Sequence, residues 1–176
     1  MNFRNIIVVA FALFAVLWST EAASPATARI HRHSLLIPNV VIQEMDVKFC
    51  TAIKLNPGKS YEITKLETTV SSNVTHHMFM YGCPEPASND RVWNCGGTLS
   101  TARKEVFTKA KPCKANPTPY HYWARDGSTL KFPHGVGSMV GGNSTANYLV
   151  LQTHYLRQEE YDVLDSSGVH VFYKNN

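Results

Sequence analysis

Past its N-terminal stretch the chain alternates in twos. Phe49-Cys50-Thr51-Ala52-Ile53 sets apolar against polar or small positions, and Tyr61 to Val70 sets charged against apolar groups. Tyr120 to Ala124 is an aromatic run, Tyr148 to Leu156 a longer apolar one, and Val169 to Tyr173 a short last one. Successive side chains of a strand point to opposite faces, so a period of two predicts strands. Val40 to Leu55 accordingly carries the first strands. Asn56-Pro57-Gly58-Lys59, Ser71-Ser72-Asn73, Asp126-Gly127-Ser128, Gly135-Val136-Gly137 and Gly141-Gly142 fall between the runs and supply turn chemistry. Pro84 to Asp90 and Gly96 to Pro119 read as loops. No stretch of ten or more residues after the leader keeps a helical period. The pattern predicts an all-β fold, an antiparallel β-sandwich.

The N-terminus departs from this pattern. Arg4 precedes an apolar run, Ile6 to Trp18, of 13 residues. That is short of the about 20 residues needed to cross a bilayer and fits a secretory signal peptide over residues 1–22, with cleavage after Ala22 or Ala28. The mature chain is expected to lack a transmembrane span and to reside outside the cell or in a secretory-granule lumen. Ser24 to Arg32 is small, polar and proline-containing, and residues 23–39 are expected to form a flexible leader. Residues 40–176 then form one domain, too short for two ordinary ones.

A net charge of +4, dispersed and without a Lys/Arg run, gives no support to nucleic-acid binding. Four cysteines, Cys50, Cys83, Cys95 and Cys113, remain in the mature region. With no C-x-x-C pair to suggest zinc, an even count in a secreted chain predicts two disulfides, with three connectivities open.

Candidate chemistry concentrates in Thr75-His76-His77-Met78-Phe79-Met80-Tyr81-Gly82-Cys83, where two imidazoles stand side by side. Imidazole suits copper, zinc and iron. A third, His154, lies in the Tyr148–Leu156 run, and a pairing of the two strands would make a three-nitrogen site. On a regular strand His76 and His77 face opposite ways. Either the strand bulges or ends there, or one histidine is a hydrogen-bonded core residue and the other faces solvent. Gln152 shares the strand face of His154 and is expected near the metal, supporting its ligands. His31-x-His33 has chelating spacing but sits in the expected leader, and is read as without function. His121, His134 and His170 have no partner in sequence and are read as structural or surface residues. Asn73-Val-Thr75 and Asn143-Ser-Thr145 are glycosylation sequons; Asn143 is the favoured acceptor, because a glycan on Asn73 would crowd the histidines.

An ordered series then makes a resemblance visible: His76-His-Met-Phe-Met-Tyr-Gly-Cys83, Trp93-Asn-Cys95, Trp123-Ala-Arg125, Pro133-His-Gly-Val-Gly137, Val140-Gly-Gly142 and Leu151-Gln-Thr-His-Tyr155. Together they resemble the N-terminal domain of the peptidylglycine α-hydroxylating monooxygenases. These belong, with dopamine β-monooxygenase, to the copper type II, ascorbate-dependent monooxygenases, and the similarity runs from about Val40 to Tyr173. It implies a sandwich of jelly-roll type and one copper held by His76, His77 and His154. That copper would relay electrons from ascorbate, while a second domain carries the oxygen-activating copper. It also implies the pairings Cys50–Cys95 and Cys83–Cys113.

Two departures stand out. Vertebrate members have a further disulfide ending where this chain has Asp165-Ser166-Ser167. The sequence also reaches Asn176 without the second domain, so a glycine-extended peptide is the expected substrate only once that domain is supplied. The expectation is therefore the electron-transfer part of a peptide hydroxylase. The alternatives are a stand-alone secreted one-copper protein without hydroxylase activity and, third, a dopamine β-monooxygenase-type fragment.

Overall fold

The structure, a computed structural model, describes residues 29–99, 104, 106–125, 127–157 and 162–175. The expected signal segment and the two expected cleavage positions lie outside them. Twelve strands are found among the described residues: β1 (His31–Leu36), β2 (Val40–Ile42), β3 (Asp46–Lys54), β4 (Ser60–Thr69), β5 (Thr75–Cys83), β6 (Trp93–Gly97), β7 (Thr118–Ala124), β8 (Leu130–Lys131), β9 (Ser138–Gly141), β10 (Tyr148–Leu156), β11 (Val163–Asp165) and β12 (Gly168–Asn175).

One sheet runs β1-β12-β4-β8, with β9 also paired to β4; the other runs β6-β3-β10-β5-β7; β2 and β11 form a separate pair. All pairings between named strands are antiparallel. The chain passes repeatedly from one sheet to the other. This is the all-β, antiparallel sandwich that the alternation predicts, of the jelly-roll type that the resemblance implies.

The alternation explains the core. Val47 and Phe49 of β3, Met78 and Met80 of β5, and Leu149, Leu151 and Tyr155 of β10 are all buried on one face of their sheet. They meet Ile63 and Leu66 of β4, Val169 and Val171 of β12, and Leu35 of β1 in a single apolar cluster. Each such side chain contributes about 1.5–3 kcal/mol of burial. His121 is buried as well, with Nε2 3.1 Å from Thr68 Oγ1.

The opposite face of the β3-β10-β5 sheet carries a second, smaller cluster at one end: Cys50, Cys83, Trp93, Cys113 and Val150. The loop after β5 folds over these residues, and two disulfides staple it, Cys50–Cys95 and Cys83–Cys113. Trp93 Nε1 donates to Lys111 O at 3.1 Å. β5 runs from the histidines at its start to Cys83 at its end, so the stapled loop covers one end of this face and leaves the histidine end open.

The expected flexible leader, residues 23–39, is corrected over its second half. β1 pairs along its whole length with β12, from His31↔Tyr173 to Leu36↔Gly168. Leu35 and Ile37 are buried in the core. Their alternation is short and follows a stretch of small and polar residues, and the partner strand lies at the far end of the chain.

Candidate metal centre

The site begins with the register between β5 and β10. His154 stands opposite His77, but the next residue, Tyr155, stands opposite Thr75, so the ladder slips by one residue and His76 is the extra one. That is a β-bulge. It resolves the alternatives left by the sequence: His76 and His77 do not diverge, and neither is a core residue. His76 is exposed, and His77 and His154 are partly buried.

Three ring nitrogens converge. His76 Nδ1 lies 3.0 Å from His77 Nδ1, and His154 Nδ1 lies 3.3 Å from the same atom. Ring centroids are 4.5 Å apart for His77 and His154, 5.1 Å for His76 and His77, and 5.3 Å for His76 and His154. Two imidazole nitrogens bound at about 2.0–2.1 Å to one metal, at angles between square and trigonal, stand about 2.8–3.6 Å apart. The 3.0 and 3.3 Å separations both fall in that window. The set therefore fits a small metal ion held by three neutral imidazoles. Among the described residues it is the one cluster of histidine, cysteine or carboxylate groups with such spacing.

The surroundings favour the metal-binding form of the rings. Burial, then the adjacent His154 and His76, then Lys48, push the His77 pKa down from its ordinary 6.5 to about 4. At neutral pH its lone pair is free for a metal. The His154 Nε2–H donates to Asp46 Oδ1 at 2.7 Å, which fixes the tautomer and leaves Nδ1 facing the other two rings. Sequence reasoning missed Asp46. It opens β3 and reaches His154 through the β3–β10 register, in which Asp46 pairs with Leu156, two residues beyond. Phe79 and Tyr122 stand 5.7 Å and 6.0 Å from the His77 ring and wall off one side of it.

Gln152 shares the strand face of His154, as the alternation predicts, but its amide is directed elsewhere. Nε2 donates to Cys95 Sγ at 3.5 Å, toward the stapled loop. The hydrogen-bonded support found at the centre is Asp46. His31 stacks on Tyr173 at 5.6 Å, and His170 Nδ1 is 2.9 Å from Ser34 Oγ. None of His31, His33, His121, His134 and His170 joins the cluster. Asn73 and Asn143 are both exposed.

The family model described as copper type II ascorbate-dependent monooxygenase, N-terminal domain, matches residues 33–162, a span that includes all three histidines. A peptidyl-glycine alpha-amidating monooxygenase of Mus musculus is 27% identical over 139 residues, covering 79% of this chain and 13% of the relative. Peptidyl-glycine alpha-amidating monooxygenase B of Xenopus laevis is 29% identical over 119 residues, 68% of this chain and 12% of the relative. A MOXD1 homolog of Drosophila melanogaster is 26% identical over 161 residues, 84% of this chain and 23% of the relative. The chain thus spans a small part of the length of the relatives it matches.

Proposed function

The chain belongs to the copper type II, ascorbate-dependent monooxygenases, whose N-terminal domain it carries, and from that premise we propose that it is the copper-binding, electron-transfer domain of a peptidylglycine α-hydroxylating monooxygenase. The observation that carries the proposal is the convergence of His76, His77 and His154 Nδ1 within 3.0 and 3.3 Å contacts. Copper bound there would supply one-electron chemistry, cycling between Cu(II) and Cu(I) with ascorbate as reductant.

The protein's own groups suit that task. Three nitrogen donors, with no carboxylate or thiolate among them, accommodate both copper states. Asp46 holds the His154 ring so that little reorganisation is needed on binding. The exposed edge at His76 gives a small reductant access, while Phe79 and Tyr122 shield His77. One such centre is expected per chain. The peptide specificity comes from the relatives, which are named peptidyl-glycine alpha-amidating monooxygenases. A glycine-extended peptide is therefore the substrate proposed for the complete enzyme. Two disulfides fit the oxidising, secretory compartment proposed from the N-terminal sequence.

The test is spectroscopic. Protein loaded with one equivalent of Cu(II) should show a nitrogen-coordinated electron paramagnetic resonance signal that anaerobic ascorbate abolishes and air restores. Copper that fails to bind, or that ascorbate leaves oxidised, would overturn the electron-transfer role.

A further inference from the structure

A buried carboxylate lies directly behind the histidine centre. Asp165, the last residue of β11, is 1% exposed. Its Oδ1 accepts hydrogen bonds from Ser167 Oγ at 2.6 Å, Ser72 Oγ at 2.7 Å, Ser71 Oγ at 3.0 Å and Thr75 Oγ1 at 3.1 Å. Its Oδ2 accepts from the Tyr155 hydroxyl at 2.7 Å and from the Ser167 backbone N–H at 2.8 Å. A charge this deep is costly to bury and persists only when its oxygens are well supplied with donors. Here five hydroxyls and one amide do so, drawn from three separate segments of chain.

Two of the donors matter for the site. Thr75 immediately precedes His76, and Tyr155 immediately follows His154. Thr75 and Tyr155 are also cross-strand partners, at the step where the β5–β10 register slips. The bulge that brings His76 and His77 to one side therefore lies between two pairs. One is His77 opposite His154, and the other is Thr75 opposite Tyr155, clamped from behind by a single carboxylate.

We propose that Asp165 is a positioning residue of the histidine centre, holding Thr75 and Tyr155 together so that the bulge at His76 keeps the three Nδ1 atoms convergent. Ser71, Ser72 and Ser167 complete the clamp by fixing the turn that enters β5. Ser71 N donates to Ser167 Oγ at 2.9 Å, and Ser166 N donates to Ser71 Oγ at 2.7 Å. A residue that served stability alone would affect unfolding and leave the rings in place. The proposal rests on the copper-site reading for its functional meaning, but its geometry can be read without metal.

The experiment uses Tyr155→Phe and Thr75→Val, which remove single hydroxyls with little change of shape, beside Asp165→Asn. Leu66→Ala, in the core of the other sheet, serves as a control for general destabilisation. Two readouts are taken: imidazole nitrogen chemical shifts of the metal-free protein, and Cu(I) affinity by competition with a chromogenic chelator. The expectation is altered His76 and His77 ring shifts and affinity weakened about 10-fold or more in the clamp variants, with neither change in Leu66→Ala. If Asp165→Asn does not fold, the two hydroxyl variants decide the matter. Unchanged shifts and affinity in both would overturn the positioning role while leaving the copper site standing. Shifts that move in a wild-type background that binds no copper would uphold the clamp and remove the copper reading instead.

Discussion

Removing the Asp46 side chain is the sharpest perturbation of the centre that leaves its ligands intact. The carboxylate touches the site through one contact, the 2.7 Å hydrogen bond from His154 Nε2. Loss of such a partner costs about 10–100-fold in metal affinity, or about 1.4–2.7 kcal/mol. The Asp46 side chain is 64% exposed, against 12% for His154. Water screens the charge and can replace part of the hydrogen bond, so the effect is expected to fall below that range, at about 1 kcal/mol, or about 5-fold. Asp46→Asn keeps an acceptor oxygen and is expected to fall between wild type and Asp46→Ala. The assay is Cu(I) competition at two ionic strengths, with Asp46→Ala narrowing its difference from wild type at high salt. Equal affinity for Asp46→Ala and wild type would refute the claim that Asp46 orients the ring. So would Asp46→Asn binding more weakly than Asp46→Ala, because an acceptor in place cannot be worse than none on this account.

Four further outcomes follow from the structure. His77 has its folded-state pKa lowered from 6.5 to about 4, so the unfolded chain takes up the proton first. Stability of the metal-free protein is therefore full above about pH 6.5 and declines as pH falls toward 4; thermal unfolding of His77→Gln should show a flatter profile in that window, and identical profiles would contradict the shift. Burial alone would raise the pKa of Asp165, but hydrogen bonds from Ser167, Ser72 and Tyr155 outweigh it and hold the group below the ordinary aspartate range, so a second loss is expected at lower pH as this carboxylate is protonated. Gly82→Ala should destabilise by about 1–3 kcal/mol, read by chemical denaturation, because its Cβ would sit 2.4 Å from Tyr120 Cε2 and 2.6 Å from Ala146 Cβ. Replacing Cys83 and Cys113 by alanine should cost about 2–5 kcal/mol and expose Trp93 to fluorescence quenchers, yet leave copper affinity near wild type, since the histidines lie at the other end of β5; a lost copper site there would show the two ends to be coupled.

The parts of the fold that the sequence disclosed are those where period and partner are local. β10 spans Tyr148–Leu156 as its apolar run indicates, and the two disulfides are those implied by the resemblance. The histidine pair left two readings open, a bulge or one core and one solvent-facing histidine, because two adjacent strand residues cannot share a face without a bulge; the register slip at His76 decides between them. What stayed hidden depends on long-range register. Asp46 reaches His154 from a strand about a hundred residues earlier, and nothing in Met45-Asp46-Val47 marks it as a ring partner. β1 needs β12, its only partner strand among the described residues, to be recognised at all. Asp165-Ser166-Ser167 reads in sequence as the place where a disulfide is missing; in the fold it is a buried hub, because β2 and β11 bring it behind the start of β5. Gln152 shows the limit of face alternation, which fixes the side of the sheet but not the direction in which a long amide turns.

If His76, His77 and His154 together hold one copper, the metal content of the protein and of its histidine variants will show it. Wild-type protein and the single alanine variants at the three positions would be loaded with copper, passed through a desalting column and assayed for metal per chain, with folding checked by circular dichroism. The account predicts about one copper per folded wild-type chain, consistent with a single three-nitrogen centre, and clearly weaker retention in each variant, His154→Ala included. Undiminished stoichiometry and affinity in folded His154→Ala protein would contradict it, because no other described residue is placed to supply the third nitrogen.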